Sequence, residues 1–454
     1  MSLVKMEWTG LLFSIAYAAY LVLVFLGWRE NYAGLTKREI RAAESGEAAV
    51  GFDAPVLAEP DPDAGFYGSK NVEDPQKLMT GGTDMLLIEY QNNEYASYPF
   101  GYYKAVTLSA EDQERVLAIL TEITGLSEEE LNHLPDDYFP QANGMIFHAS
   151  DDLVQGADGS FRIDAEDSQN GERDYQFEPR VSYERFLELM GEMEELIGPG
   201  SNYSLESLVT YFGITDLTYE EAMEQFVLMT EYDQVTGGFA RLFCDYMAAP
   251  AGLYPAFLAV FVWYRDRRAG IQAAVWSKSS SSLRLTAARF AAIVAAALLP
   301  MLLLSLESLL PLLAFGAEQG LKTDAFAFVR YIFWWLLPTI MVSAAAGTLI
   351  TILTDTPAAI LVCFAWWQID RGMTELSGDT SLWTLMIRHN TLRGAELIQR
   401  DMGILTANRA LMIGIALVFA GLSAYLLTWK RRGRLYAAGG AAHGGRAVRG
   451  ELSA

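Results

Sequence analysis

Five stretches of this chain run for 17 or more residues without a charged side chain: Thr9–Trp28, Tyr246–Tyr264, Phe290–Leu306, Tyr331–Thr354 and Ala410–Trp429. A helix needs ~20 mostly apolar residues to cross the hydrocarbon core of a bilayer. The chain therefore reads as an all-α polytopic membrane protein. A shorter apolar run, Thr356–Ile369, follows Tyr331–Thr354 across Asp355-Thr356-Pro357. It reads as the second arm of a tight helical hairpin and brings the expected spans to six. The third run is expected to continue past Glu307 to about Phe315. For Thr9–Trp28 a cleaved signal peptide is the rival reading, but its apolar core would measure only ~7–15 residues. With Trp8 and Trp28 at its ends, the run reads as a retained anchor.

Charge separates the rest of the chain from these runs. Residues 51–245 hold 40 Asp and Glu against 9 Lys and Arg, whereas the remainder holds 16 against 24. The net charge of −23 thus belongs to the middle segment. Such a surface repels nucleic acid and anionic lipid, so neither is expected as its partner. Solubility accounts for the acidity; a cation-binding role is the sharper alternative. The two cysteines, Cys244 and Cys363, leave residues 51–243 without any disulfide framework.

Lys and Arg collect on the cytoplasmic side of membrane proteins. Arg265, Arg267, Arg268, Lys278, Arg284 and Arg289 lie between the second and third runs, and Lys430, Arg431, Arg432 and Arg434 follow the last. Both regions are expected inside, which puts the acidic domain outside. Arg29, Lys37, Arg38 and Arg41 run against this assignment. Glu30, Glu39, Glu44 and Glu47 offset them, and large domains translocate despite such charges.

Within the acidic domain, helix punctuation is clear. Ser109 precedes Val116, Ile119, Leu120 and Ile123, and Gly125 ends the pattern. Ser127 and Glu130 fit a capping box for a second, short helix. Tyr183–Ile197 carries an apolar face stopped by Gly198-Pro199. Thr218 and Glu221 open a further helix, which is expected to run almost continuously into the second span with Gly237-Gly238 as the break. Residues 51–80 and 149–180 read as loops. Asp151, Asp152 and Asp158 in the latter do not match an EF-hand, so a solvated loop is preferred there to a hairpin or calcium site.

No catalytic signature is present. The chain lacks a phosphate loop, a His-Glu-x-x-His pair and a Gly-x-Ser-x-Gly elbow. His133, His148, His389 and His443 are scattered, so no metal site is expected. An enzyme is not the expected class, although a site in the acidic domain is one rival reading. Glu307, close to a span, is a candidate on a substrate path, with simple exposure at the outer surface as its bland alternative. In residues 370–408, Ser381–Ile387 is apolar enough for an external re-entrant or interfacial segment.

The most informative stretch runs from Arg265 to Arg289. A charged cluster, Arg265-Asp266-Arg267-Arg268, leaves the membrane. Gly270 follows, then a short apolar helix over Ile271–Trp276 that includes Val275, then Ser279–Ser282 and a basic residue before the third span. This order resembles the coupling-helix region of ABC-2 type permeases. The acid usually found just before the glycine is absent, and serine replaces the usual proline. The wider layout is also similar to that family over about residues 5–28 and 246–430: an inside N-terminus, one span, a large external insertion, then five spans.

The resemblance implies a permease subunit of a bacterial ABC exporter in the cell membrane, with both termini cytoplasmic. It binds no cofactor of its own; ATP and Mg belong to a separate cytoplasmic ABC ATPase subunit. A second permease chain, identical or related, completes the assembly. Arg265, Asp266, Arg267, Arg268, Gly270, Ile271, Val275 and Trp276 are then the expected ATPase contacts. The expected division is 1–28 with span one, 29–245 as the acidic domain, 246–264 as span two, 265–289 as the coupling loop, 290–430 as spans three to six, and 431–454 as a disordered basic tail. The rival from another class is a membrane-anchored sensor with a ligand-binding external domain. No cytoplasmic output domain is visible to serve it.

Overall fold

A computed structural model describes residues 3–45, 55–99, 103–132, 153–155, 161–163, 179–276, 280–373, 381–389 and 391–432. The chain is mostly helical and divides into two compact units, one of Met1–Ala64 with Tyr219–Ala454 and one of Gly65–Thr218. The second unit is narrower than the expected 29–245, because the segments flanking it pack with the membrane helices.

The chain opens with α1 (Leu3–Leu12), α2 (Ile15–Asn31) and α3 (Leu35–Ser45). The expected single span Thr9–Trp28 is instead broken, with a 65° bend between α1 and the helices that follow. Ser14 caps the helix that restarts after the break, its hydroxyl accepting from the Tyr17 N–H of α2 at 3.1 Å. The hydroxyls of Tyr17 and Tyr20 then donate to the carbonyls of Ala296 and Ala297, at 3.1 and 2.8 Å. A straight helix would not give both these contacts and the seat of Glu7 described below.

The second unit contains β1 (Ser69–Asn71), α4 (Pro75–Asn92), β2 (Tyr95–Ser97), β3 (Lys104–Val106), α5 (Ala110–Thr124), α6 (Glu128–Asn132), β4 (Leu153–Gln155), β5 (Phe161–Ile163), α7 (Tyr183–Ile197), α8 (Leu205–Phe212) and β6 (Ile214–Asp216). Three antiparallel ribbons, β1 with β6, β2 with β3 and β4 with β5, tie its segments. The helices α5 and α6 stand where their caps predict and α7 where its apolar face and Gly198 do, with Ser109, Ser127 and Ser182 accepting from the first-turn N–H groups. Val116, Ile119, Leu120, Leu189 and Met193 are buried together in one core.

Helix α4 corrects the expected loop over 51–80, since it begins at Pro75 behind the cap Asp74. Its Gly81-Gly82 pair conceals it in sequence. A Cβ at Gly81 would overlap the Phe212 ring, and one at Gly82 would lie 3.0 Å from Phe186 and 3.1 Å from Leu208. The glycines thus let α7 and α8 pack close to α4. The hairpin β4–β5 falls in the other expected loop, 149–180; Asp151, Asp152, Asp158, His133 and His148 lie outside the described residues.

The chain returns through α9 (Tyr219–Val227) and a π-helical turn, Leu228–Tyr232, into α10 (Thr236–Arg268). The break between them lies at Asp233–Val235, with Gln234 and Val235 at positive φ, and not at the expected Gly237-Gly238, which sit inside α10. Then come α11 (Gln272–Trp276), α12 (Ser282–Leu304), α13 (Leu306–Gln319), α14 (Ala327–Tyr331), a second π-helical turn, α15 (Leu337–Thr354), α16 (Ala359–Met373) and α17 (Ala395–Arg431).

Four helical stretches are long and apolar enough to cross a membrane: α10, α12 with α13, α14 through α15, and α17; the broken pair at the N-terminus makes a fifth. Helix α16 has 15 residues, or ~22 Å at ~1.5 Å per residue, shorter than the ~30 Å core. Helix α15 lies at the centre, packed against α10 and α17. Gly347 makes the approach to α10 possible, since a Cβ there would lie 2.9 Å from Ala256 Cα.

Candidate functional site

The last turns of α10 hold four charged residues in sequence, and the fold sends them in different directions. Asp266 is buried and pairs with the equally buried Arg289 of α12. Arg289 also meets Glu7 of α1 at 3.2 Å, and Arg265 meets Glu7 at 3.3 Å. Two carboxylates and two guanidiniums thus form one closed network. The Arg289 guanidinium lies 4.7 Å from the centre of the Trp263 ring, which adds a cation–π contact. Arg267 and Arg268 are exposed. A second ion cluster surrounds Asp355, the left-handed cap of α15, which pairs with Lys430 and lies 3.8 Å from Arg267.

Gly270, at φ 68°, turns the chain out of α10 and into α11. Helix α11 covers Gln272–Trp276, close to the expected Ile271–Trp276. Val275 and Trp276 pack inward on a small core of Trp263, Leu285, Ile352 and Leu427, drawn from α10, α12, α15 and α17. Arg431 of α17 donates to the Trp276 carbonyl at 2.6 Å and to the Ser280 carbonyl at 2.8 Å. Ile271, by contrast, is 48% exposed. Of the eight candidate contact residues, then, Val275, Trp276 and Asp266 anchor the loop. Ile271, Arg267 and Arg268 are exposed, with Arg265 half-buried beside them.

Sequence reasoning missed Glu7, Trp263 and Asp355 as members of this region. Glu7 stands just ahead of the first apolar run, and Asp355 is the one charge between two runs. An acid in either place has to find a cation nearby.

Glu307 is not drawn into this region. It lies near the start of α13 and pairs with Lys37 of α3 at 3.3 Å, beside a hydrogen bond from Thr36 to Ser308. Within 370–408 the apolar segment Ser381–Ile387 divides: Ser381, Leu382 and Trp383 are exposed, whereas Thr384, Leu385, Met386 and Ile387 are buried among the helices. Its polar backbone is satisfied there. Asp370 accepts from the N–H groups of Leu385 and Met386 at 2.7 and 3.0 Å. Asn408 donates to the carbonyls of Ser381 and Thr384, and Arg409 donates to Trp335 O at 3.0 Å and Thr339 Oγ1 at 2.9 Å. Asp245 of α10 holds the segment's far end through Arg388 Nε and the His389 N–H. Residues 395–408, expected as part of this connection, form the first turns of α17.

Among the described residues, no three His, Cys, Asp or Glu side chains are grouped to hold a metal, and Cys244 and Cys363 are buried free thiols. His443 and the tail from residue 433 lie outside the described residues. The chain matches no family model, no curated protein and no solved structure.

Proposed function

We propose that this chain is the permease subunit of an ABC transporter of the exporting kind, driven by ATP hydrolysis on a separate cytoplasmic ATPase subunit. The observation that carries this reading is the seating of α11. A five-residue helix between two long apolar helices is fixed from behind to α10, α12, α15 and α17, yet leaves Ile271, Arg267 and Arg268 exposed. That is the construction a coupling element needs. Force applied to Ile271 and the two arginines would pass through Trp276, Asp355 and the Glu7–Arg289–Asp266 network into four helices together, moving them as rigid bodies. The chain's part is mechanical: it receives the displacement, and it binds neither nucleotide nor metal ion for the purpose.

In this reading the broken pair α1–α2 and the short α16 complete six crossings of a bacterial cell membrane. Both termini and α11 are cytoplasmic, and Gly65–Thr218 lies outside. A second permease chain would pack on an exposed apolar face. Helix α17 offers one, since only 28% of its apolar window is buried, against 72% for α10.

Purification from the native membrane in mild detergent, with mass spectrometry of whatever accompanies the chain, tests the proposal. An ATPase subunit is expected, and it is expected to be lost from the Ile271→Asp and Arg268→Glu double variant, whose substitutions lie on exposed side chains. Retention of the ATPase by that variant would remove α11 as the coupling element. Absence of any ATPase from the wild-type preparation would overturn the permease reading in favour of a sensor whose ligand binds Gly65–Thr218.

A further inference from the structure

The flank of α10 that carries Arg268 also carries a groove of about 540 Å³. Its apolar wall is Phe257, Val260 and Phe261 of α10 with Ile360 of α16, and its rim is Arg265 and Arg268. The α10 residues recur every three to four positions and so form one stripe along the helix.

Two features of the stripe point to one kind of occupant. The first is its length. From Phe257 to Arg268 is a rise of ~16 Å, about half of the ~30 Å hydrocarbon core, so the groove is one leaflet deep. The second is its polarity. The cations stand at one end only, where α10 leaves its apolar stretch, with Tyr264 beside them, and the wall of Phe257, Val260, Phe261 and Ile360 is apolar. The two arginines are unequal. Arg265 is shared with Glu7 at 3.3 Å and Asp266 at 3.5 Å, whereas Arg268 is exposed and forms no ion pair among the described residues. Arg268 is therefore the group with charge to offer, and a phosphodiester is the anion that a guanidinium fork suits at a membrane surface. A second protein chain would need a surface charged at one end and apolar over only one leaflet; a phospholipid has that form already.

We infer that this groove holds one anionic phospholipid of the leaflet on the Arg268 side, with its phosphate on Arg268 and Arg265 and an acyl chain along Phe257, Phe261 and Ile360. The site is separate from the exposed face of Ile271, although Arg268 stands at the edge of both.

The full-length chain would be purified in a neutral detergent and offered palmitoyl-oleoyl phosphatidylglycerol or phosphatidylcholine, with retention read by native mass spectrometry. The expected result is one retained phosphatidylglycerol, favoured about fivefold over phosphatidylcholine. Arg268→Ala, at an exposed position, is expected to abolish the preference while leaving weak retention of both lipids. Ile360→Trp, which fills the apolar wall and leaves the guanidiniums in place, is expected to lower retention of both. Equal retention of the two lipids by the wild type would overturn the proposal. So would an unchanged preference in Arg268→Ala, or displacement of the lipid by free glycerol phosphate at matched concentration. A disulfide forming between two copies through Ile360→Cys, with lipid excluded, would assign the groove to a second chain instead.

Discussion

Carboxylates of this chain face opposite situations, and the contrast sets what substitution should do to each. Asp266 has the Arg289 guanidinium against it, and Glu7 shares that same cation. Removing Arg289 leaves two acids buried with only Arg265 between them. Arg289→Ala is expected to cost about 3–5 kcal/mol, read as a lowered melting temperature in detergent. Adding Asp266→Asn and Glu7→Gln should return much of that loss, because no charge then remains uncompensated. Glu89 of α4 forms no ion pair among the described residues. It accepts from Tyr203 Oη at 2.6 Å and Ala96 N at 2.9 Å, but burial outweighs these bonds and pushes its carboxyl up to about 7. An acid whose folded pKa lies above its unfolded one favours the folded state while it is protonated. That contribution is present in full below about pH 4.5 and is lost as the pH rises through about 7. The unit Gly65–Thr218 should therefore be less stable at pH 8 than at pH 5, by about 2–3 kcal/mol. Hydrogen exchange of the α4 amides across this range would show it, and Glu89→Gln should flatten the dependence. A flat profile in the wild type would mean that Glu89 stays ionised throughout.

Helices announced by their ends were legible in the sequence, and helices that depend on a distant partner were not. Ser109 with Gly125 brackets α5, and Gly198 marks the end of α7, because capping is a local bond between neighbours in the chain. The Gly81-Gly82 pair reads as a break, since glycine disfavours a helix interior, yet α4 runs through it. What reverses the local preference is Phe212 and Leu208, far along the chain, which occupy the space that side chains would need. Gly81→Val should accordingly destabilise this unit by about 1–3 kcal/mol through overpacking, and Phe212→Ala in the same chain should relieve part of it. The broken first span has a similar cause. Nothing within Thr9–Trp28 forbids one straight helix; the contacts of Glu7 and of Tyr17 with α12 require the bend. The basic loop after α10 was legible as a loop with a short helix. Which of its residues point inward was not, because Val275 and Trp276 find their partners on four other helices.

At the scale of the molecule, one helix carries opposite demands at its two ends. Helix α10 is 33 residues long, ~50 Å, which exceeds the hydrocarbon core by ~20 Å. Arg241, paired with the buried Asp233, marks one end, and Arg265 marks the other, 24 residues or ~36 Å away. Both charges can stand at or beyond the two membrane surfaces, with the uncharged run Tyr246–Tyr264 between them. The distribution of Lys and Arg then decides which surface faces the cytoplasm, and it argues for the Arg265 end. The native thiols Cys244 and Cys363 are buried, so an introduced cysteine can be read against a low background. In intact cells treated with a membrane-impermeant maleimide, Lys104→Cys, on an exposed position of β3, is expected to react from outside. Ile271→Cys is expected to react only after the membrane is opened. The reverse pattern would place α11 outside, where no ATPase can reach it, and would remove the coupling proposal whatever its local geometry. Labelling of both sites from outside would require an even number of crossings between them, and in that case α10 would cease to be a span.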